Sequence, residues 1–527
     1  MKLTFYSRQD CPLCDAGYLV VDRLATHHGF KVDKIDVDTD PALAERHGER
    51  VPVVEHEGSV VAWGKISGPD LERTLGIGTV RADRPRGNDR QPRHRERAHA
   101  AGLGLAALVG AAAGTIGGTF RMAVQLVTEG RSLLVDAAAL LPYGAWVAAA
   151  AVSAVMTLAA VALVRRFAAE AGGSGVQEIE GALDGVRPVR WRRVLPVKFV
   201  GGVLALGSGL VLGREGPTIQ MGGNVAKMIG DGLRRSEEDI HVLIAAGAGA
   251  GLAAAFNAPL AGLLFVVEEM RPQFRFNVGS FLSVLVACAV SDIVVRMMLG
   301  GANAIEMPSF PAPATTSLWL FLPFGALMGV VGTAFNSALF LTLDAFARLT
   351  RYRLAIVVGV LGAAAGLLLT AYPDVVGGGY RVTGEALMTG PAPAMLLMLF
   401  FVRFVTTILS FALGAPGGIF APMIALGTLL GVWCGQLSQD LLPGAIANPQ
   451  IFAVVGMGAL FSAIVGAPIT GIILAIEMTG NYQQILPLMV SCAAAVFVAN
   501  TLGARPVYSV LLERTLGRSG TGTESTG

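Results

Sequence analysis

Three glycine- and proline-interrupted motifs lie inside otherwise apolar sequence: Gly173-Ser-Gly-Val-Gln177, Gly213-Arg-Glu-Gly-Pro217 and Gly418-Ile-Phe-Ala-Pro422. Such residues break helices, and lipid tolerates a broken helix only where the loose backbone is buried in protein or lines a cavity. A helix that starts inside the membrane turns free amides and the positive end of its dipole inward, which favours an anion. Three such starts meeting at one place would hold an anion without a full positive charge, which suits an ion that must also leave. The bland alternative is that these glycines only let helices pack closely.

The carboxylates are the second signal. Glu215 stands in the middle of one motif, and Glu268 and Glu269 end the apolar run that begins at Ala258. Ionisable groups at membrane depth are costly and mark function by default. A carboxyl withdrawn from water can exchange its proton near neutral pH. Ionised, the Glu215 side chain could itself fill an anion site and vacate it on protonation, which links proton to anion directly. For Glu268 and Glu269 a second reading stays open: with Arg271 and Arg275 following, they could be an ordinary salt-bridged helix end.

The third signal is Cys11-Pro-Leu-Cys14, which follows a strand-like stretch and opens a helix. A helix N-terminus favours the thiolate and makes a cysteine nucleophilic. A lone CxxC is also compatible with metal, but a zinc knuckle needs a second ligand pair, and none is nearby. His27-His28 read as a helix end. The other cysteines, Cys288, Cys434 and Cys492, are scattered through apolar runs as small core residues.

The elements that must carry these groups fall into three regions. Of the 527 residues, 53% are hydrophobic and only 15% charged, with 67 glycines. A soluble chain would carry about 25% charged residues. Two uncharged stretches, Tyr143–Val164 and Leu354–Tyr372, are long enough to span lipid, which takes about 20 residues. From about residue 100 onward the chain therefore reads as a mainly α polytopic membrane domain, 100–516, followed by a Gly/Ser/Thr-rich disordered tail, 517–527. Residues 1–76 alternate strands (Lys2–Ser7, Lys31–Val37, and a hairpin of Val51–Glu57 with Ser59–Ala62) and helices (Pro12–His27, Pro41–His47), the pattern of a small α/β domain. Met1–Ser7 is not a signal peptide. Residues 77–99 read as a basic flexible linker: Arg81 to Arg97 holds seven arginines against three acidic residues. Those arginines immediately precede the first apolar run, a positive-inside signal that places the N-terminal domain in the cytoplasm. The net charge of +2 points to no nucleic-acid partner.

The membrane part repeats itself. Gly247-Ala-Gly-Ala…Ala258-Pro259…Gly262…Glu268 recurs as Gly456-Met-Gly-Ala…Ala467-Pro468…Gly471…Glu477, a constant offset (247 to 456). Gly213…Pro217…Gly222 recurs as Gly418…Pro422…Gly427, and Gly172-Gly173 as Gly377-Gly378. Two homologous halves are expected; in transporters such halves often run in opposite directions and enclose the substrate at their interface.

In order and spacing the three glycine motifs resemble the anion-coordinating signatures of the CLC family of chloride channels and transporters. Arg187-Pro-Val-Arg-Trp191, Phe256-Asn-Ala-Pro259 and Glu268-Glu-Met-Arg-Pro-Gln-Phe274 are similar to its bacterial exchangers. The resemblance covers about 100–516 and implies two inverted repeats and a homodimer with one pathway per subunit. By position it implies that Ser174 and Tyr508, in Pro506-Val-Tyr508-Ser, supply hydroxyls to a central chloride, and Ile419 and Phe420 their backbone amides. Glu215 would be the external gate and Glu269 the internal proton-transfer group, with Glu268 beside it. Channels of the family typically lack a carboxylate at the Glu269 position, so exchange of chloride for protons is implied, without cofactor or metal. Serine at 174 resembles chloride-preferring members, whereas proline there marks nitrate-preferring ones. One departure is Gln177, where the motif normally ends in proline. Family members often carry a C-terminal regulatory domain, which is not expected here.

Residues 1–76 resemble glutaredoxins, with Val51-Pro52-Val53 matching the loop that presents a cis-proline to the active cysteines. That implies a dithiol site of Cys11, Cys14 and Pro52 facing cytoplasmic thiol reductants. Leu13 replaces the usual tyrosine, and Ser67-Gly68-Pro69 stands where a double glycine often contacts glutathione. The implied whole is a chloride/proton antiporter of the inner (plasma) membrane, modulated by an N-terminal dithiol domain. A passive chloride channel and a membrane-anchored thiol oxidoreductase are the competing readings.

Overall fold

The computed structural model describes residues 2–8, 11–48, 50–64, 66, 71, 74–75, 91–270, 277–302, 304–305, 307–308, 310–445 and 448–520. The chain divides into two compact units, Met1–Pro92 and Arg93–Gly527.

In the first unit β1 (Lys2–Ser7), α1 (Pro12–His28), β2 (Lys31–Asp36), α2 (Pro41–His47), β3 (Val53–His56) and β4 (Ser59–Trp63) follow in order. The sheet order is β2-β1-β3-β4, with β1 and β2 parallel and the other pairs antiparallel. Leu3 and Phe5 of β1 and Val54 of β3 bury one face against Val21 of α1. The sequence-derived strand to Val37 stops at Asp36, because the Asp36 carboxylate accepts the Asp38 amide and opens a single helical turn. The β3–β4 turn places Glu57 and Gly58 at φ 49° and 79°, the left-handed pair that a two-residue hairpin requires.

The second unit is helical. Its first half holds α3 (Gln91–Ala138), α4 (Gly144–Phe167), α5 (Val176–Leu183), α6 (Trp191–Gly207), α7 (Glu215–Gly232), α8 (Glu237–Phe256), α9 (Pro259–Glu269) and α10 (Val278–Leu299). The second half holds α11 (Phe321–Ala347), α12 (Arg351–Ala371), α13 (Tyr380–Thr389), α14 (Pro393–Ala412), α15 (Phe420–Leu441), α16 (Ile451–Val465), α17 (Pro468–Thr479) and α18 (Ile485–Thr501), with α19 (Val507–Gly520) closing the chain. Nine helices among the described residues are long and apolar enough to cross a membrane. Two sequence boundaries move. Residues 91–99, read as flexible linker, continue α3, since Gln, Arg, Glu and Ala let a helix propagate; residues 517–520, read as tail, end α19. The remainder of both segments lies outside the described residues.

Eight helices answer eight, and two reciprocal contacts fix how the halves relate. Gly213 and Gly418 exchange a pair of backbone hydrogen bonds, 2.7 Å each way. The Glu268 carboxylate at the end of α9 accepts the Ile469 and Thr470 amides at the start of α17 (3.0 and 2.7 Å). Its counterpart Glu477 at the end of α17 accepts the Leu260 and Ala261 amides at the start of α9 (3.1 and 2.7 Å). Each helix ends where the other begins, so the equivalent helices are antiparallel and the halves are inverted. Some repeat glycines serve packing alone: a Cβ on Gly222 would overlap the Gly247 carbonyl, and one on Gly427 the Gly456 carbonyl.

Candidate functional site

Four helices, not three, begin at the centre of the second unit. α5 starts after Gly175 (φ 88°), α7 after Arg214, α13 after Gly379 (φ 95°) and α15 after Ile419, and none has a side-chain cap. The first amides of a helix have no partner within it, so each start offers free donors. The α13 start falls on the second half's copy of the Gly172-Gly173 repeat; that offset was the signal for it in the sequence.

Backbone cross-links hold the starts together. Gly173 donates to the Ala415 carbonyl (3.1 Å) and accepts from Gly417 (3.0 Å), and Gly377 donates to the Gly209 carbonyl (3.3 Å). Two buried cations at equivalent positions (198 and 403) grip the glycine loops from behind. Lys198 Nζ donates to the carbonyls of Ala171 (3.1 Å) and Gly173 (2.7 Å). Arg403 donates to those of Asp374 (2.8 Å), Val376 (3.0 Å) and Gly377 (2.8 Å). Both are fully buried, and their charge is met by carbonyl oxygens, as a buried cation requires. Gln177, the departure from the motif, turns its carbonyl oxygen back to the Gly175 amide (3.2 Å), which braces the loop with a hydrogen bond.

Glu215 is wholly buried at the meeting point. Its Oε2 accepts from the Ala421 amide in the first turn of α15 (3.3 Å), and its Oε1 accepts from the Tyr380 hydroxyl (2.5 Å). A Cβ on Gly213 would overlap Oε2, so glycine there makes room for the carboxylate. Arg214 donates to the Ala255 carbonyl (3.3 and 3.0 Å) and lies 4.6 Å from the Tyr380 ring centroid.

Ser174 and Tyr508 are both fully buried, and their hydroxyls approach each other without completing a hydrogen bond. Among the described residues neither hydroxyl has a protein partner. Ile419 and Phe420 are buried at the head of α15, and the Phe420 ring meets Tyr508 edge-on at 5.6 Å. Two orphaned hydroxyl donors near a helix start with free amides are able to receive an acceptor such as an anion, since a buried polar group needs a partner.

Two more carboxyls meet where α9 ends against α5. Glu269, the last residue of α9, has a buried Oε1, and the side chain of Glu180 from α5, itself 2% exposed, faces it. Tyr508 is within electrostatic reach of Glu269, Glu180 and Glu215 alike. A carboxyl pair can hold one proton between them, as donor and acceptor. Sequence reasoning missed Glu180. Glu268 points elsewhere: besides the two α17 amides it accepts the Thr470 hydroxyl (2.7 Å), so its carboxylate is a helix cap. Arg271 and Arg275, offered as its salt-bridge partners, lie outside the described residues.

In the first unit Cys11 caps α1, with its sulfur accepting from the Cys14 amide (3.1 Å), and Cys11 and Cys14 are joined as a disulfide. The Val51–Pro52 peptide is cis. Ser67-Gly68-Pro69 lies outside the described residues. Among the described residues no group of three or more His, Cys, Asp or Glu side chains could hold a metal.

An inverted helical repeat whose helix starts meet around a buried carboxylate defines a multi-pass membrane protein built for ion passage. Residues 156–500 match the voltage gated chloride channel family, and residues 2–76 match the glutaredoxin-like domain. The chain belongs to the voltage gated chloride channel, or CLC, family, with a glutaredoxin-like domain at its N-terminus. The H(+)/Cl(-) exchange transporter ClcA of Vibrio parahaemolyticus is 51% identical over 418 residues, 78% of this chain and 89% of that protein. The Klebsiella pneumoniae transporter of the same name is 46% identical over 428 residues, 80% and 91% of the two chains. Among solved structures, a slow cyanobacterial Cl-/H+ antiporter superposes with a TM-score of 0.78 at 42% identity, covering 80% of this chain and 99% of that one.

Proposed function

We propose that this protein is a secondary active antiporter that moves chloride one way across the membrane and protons the other. The observation that carries the reading is the seat of Glu215. Its ionised carboxylate takes the Ala421 amide at a convergence of helix starts, which is the contact an incoming anion would use. Anion and carboxylate therefore compete for one place, and protonation of Glu215 decides the competition. Ser174, Tyr508 and the amides of Ile419 and Phe420 hold the chloride further in. Glu269, with Glu180 against it, passes protons to and from the opposite side. A passive channel has no use for that second carboxyl.

The run of arginines from Arg81 to Arg97, ahead of the first apolar stretch, supports a plasma-membrane orientation with the N-terminal domain in the cytoplasm, and the family likeness supports a homodimer. The Cys11–Cys14 disulfide supports a further role for that domain: exchange with a cytoplasmic dithiol, two electrons and two protons passing from the reductant to the pair, with transport altered in step.

Purified protein in liposomes with a chloride gradient, no pH gradient and voltage clamped by potassium and valinomycin tests the exchange. Uphill proton movement that disappears in Glu215→Gln and in Glu269→Gln is expected. Chloride flux without proton movement would make the protein a channel.

A further inference from the structure

The α13 start brings to the gate a hydroxyl with no counterpart in the first half. Tyr380 is the first residue of α13, and the first residue of α5 is Val176, which carries no hydroxyl. Tyr380 is carried on Gly377-Gly378-Gly379, the loop whose carbonyls Arg403 clamps. Gly379 is at φ 95°, and a Cβ there would come within 2.6 Å of both the Ala425 Cβ and the Arg403 guanidinium. The loop is thus pinned on both sides. The ring is held between the Arg214 guanidinium at 4.6 Å and Phe256 at 6.4 Å. What this fixed ring presents to the site is one hydroxyl, donated to Glu215 Oε1 at 2.5 Å.

We propose that Tyr380 is the latch of the gate: its hydroxyl holds the ionised Glu215 carboxylate on the Ala421 amide and so sets how readily chloride displaces it. The proposal rests on the reading of Glu215 as the group that competes with the anion. A hydrogen bond to a carboxylate is about twice as strong as one to a neutral carboxyl. The latch therefore grips the ionised gate and slackens when the gate takes up a proton, without itself giving up or receiving one. It is a positioning residue: it acts on chloride only through Glu215.

That dependence makes the test. Chloride binding is titrated calorimetrically, and tracer chloride exchange is followed in liposomes, for wild type, Tyr380→Phe, Glu215→Ala and the double variant. Phenylalanine keeps the ring between Arg214 and Phe256, so only the hydroxyl is lost. With one charge-assisted bond removed from the competitor, half-saturating chloride should fall about tenfold in Tyr380→Phe. In the Glu215→Ala background the same substitution should change nothing, because no carboxylate remains to be latched. An equal effect in both backgrounds would reduce Tyr380 to packing and overturn the proposal. So would unchanged half-saturation in Tyr380→Phe, and weaker binding in the Glu215→Ala background, which would make the hydroxyl a direct chloride ligand. If Glu215→Ala itself retained full proton coupling, the competition reading would fall rather than the latch alone.

Discussion

Gly216, the second residue of α7, offers the sharpest test of how the anion site is held. A Cβ there would overlap Ser174 Oγ and come within 2.8 Å of the Ser174 carbonyl oxygen and 2.9 Å of its Cα, where ordinary contact is 3.4–4 Å. The obstruction is backbone, so Gly216→Ala cannot be absorbed by a rotating side-chain tip; the Ser174 segment must shift by about half an ångström or more. Lys198 on the Ala171 and Gly173 carbonyls and the Gly173–Ala415 and Gly417–Gly173 bonds oppose that shift. Overpacking of this kind costs about 1–3 kcal/mol of stability. The Ser174 hydroxyl leaves its place beside Tyr508, and a hydrogen bond to a charged group is worth about 1.5–3 kcal/mol. Chloride affinity in a calorimetric titration should therefore fall by about tenfold to a hundredfold. Gly222→Ala is the control, since its Cβ meets the Gly247 carbonyl and the Gly251 Cα of the neighbouring helix and no residue of the anion site; it should lower thermal stability and leave the affinity of the surviving folded fraction alone. Wild-type chloride affinity in folded Gly216→Ala protein would refute the placement of Ser174 as an anion ligand.

Tyr508→Phe keeps the edge-on contact with Phe420 and removes only the orphaned hydroxyl, so chloride affinity should drop about tenfold with thermal stability unchanged; an unshifted titration would contradict the reading. Glu269→Gln should abolish uphill proton movement in liposomes while tracer chloride exchange continues, and Glu180→Gln should weaken coupling by the same measurement, since each removes half of one carboxyl pair. Glu268→Ala should behave differently: it strips the cap from α17 and should lower the melting temperature, at a cost of about 0.5–2 kcal/mol, with the chloride-to-proton ratio intact. Cys11→Ser/Cys14→Ser should erase any difference in transport rate between oxidising and reducing buffers; identical wild-type rates in both would remove the domain from regulation.

What the sequence made legible and what it hid divide along a physical line. The strands and helices of the first unit appear within a residue or two, because alternation and the Pro12 and Pro41 helix starts are local signals. The repeat appears because it is written in glycines and prolines, whose spacing survives when other side chains drift. Glu180 stayed hidden: its partner Glu269 lies 89 positions on (180 to 269), and alone it looks like any polar residue of a short helix. Glu268 drew attention for the right reason, charge at the end of an apolar run, yet its task is a cap across 201 positions of sequence. Only the matching Glu477 in the other half hinted at reciprocity. Tyr380 carries no charge and follows three glycines, so nothing local separates it from a packing aromatic.

The inverted repeat explains why such residues face each other at all. Gly213 and Gly418 mark the axis, and whatever one half places on one side of it, the other half places on the opposite side. Lys198 and Arg403 show the scaffold kept: equivalent positions, both buried, both spanning the carbonyls of a glycine loop. The loops then diverge in what they present. The first offers Ser174, a hydroxyl with no protein partner, and the second offers Tyr380, a hydroxyl bonded to Glu215. On the proposed reading one half contributes a donor for the anion and the other a donor for the anion's competitor, Glu215, at the head of α7. On that reading each hydroxyl serves one of two species that compete for the same place, so modest energy differences decide which occupies it. A proton on Glu215 would then tip that balance, which is what coupling chloride to protons demands.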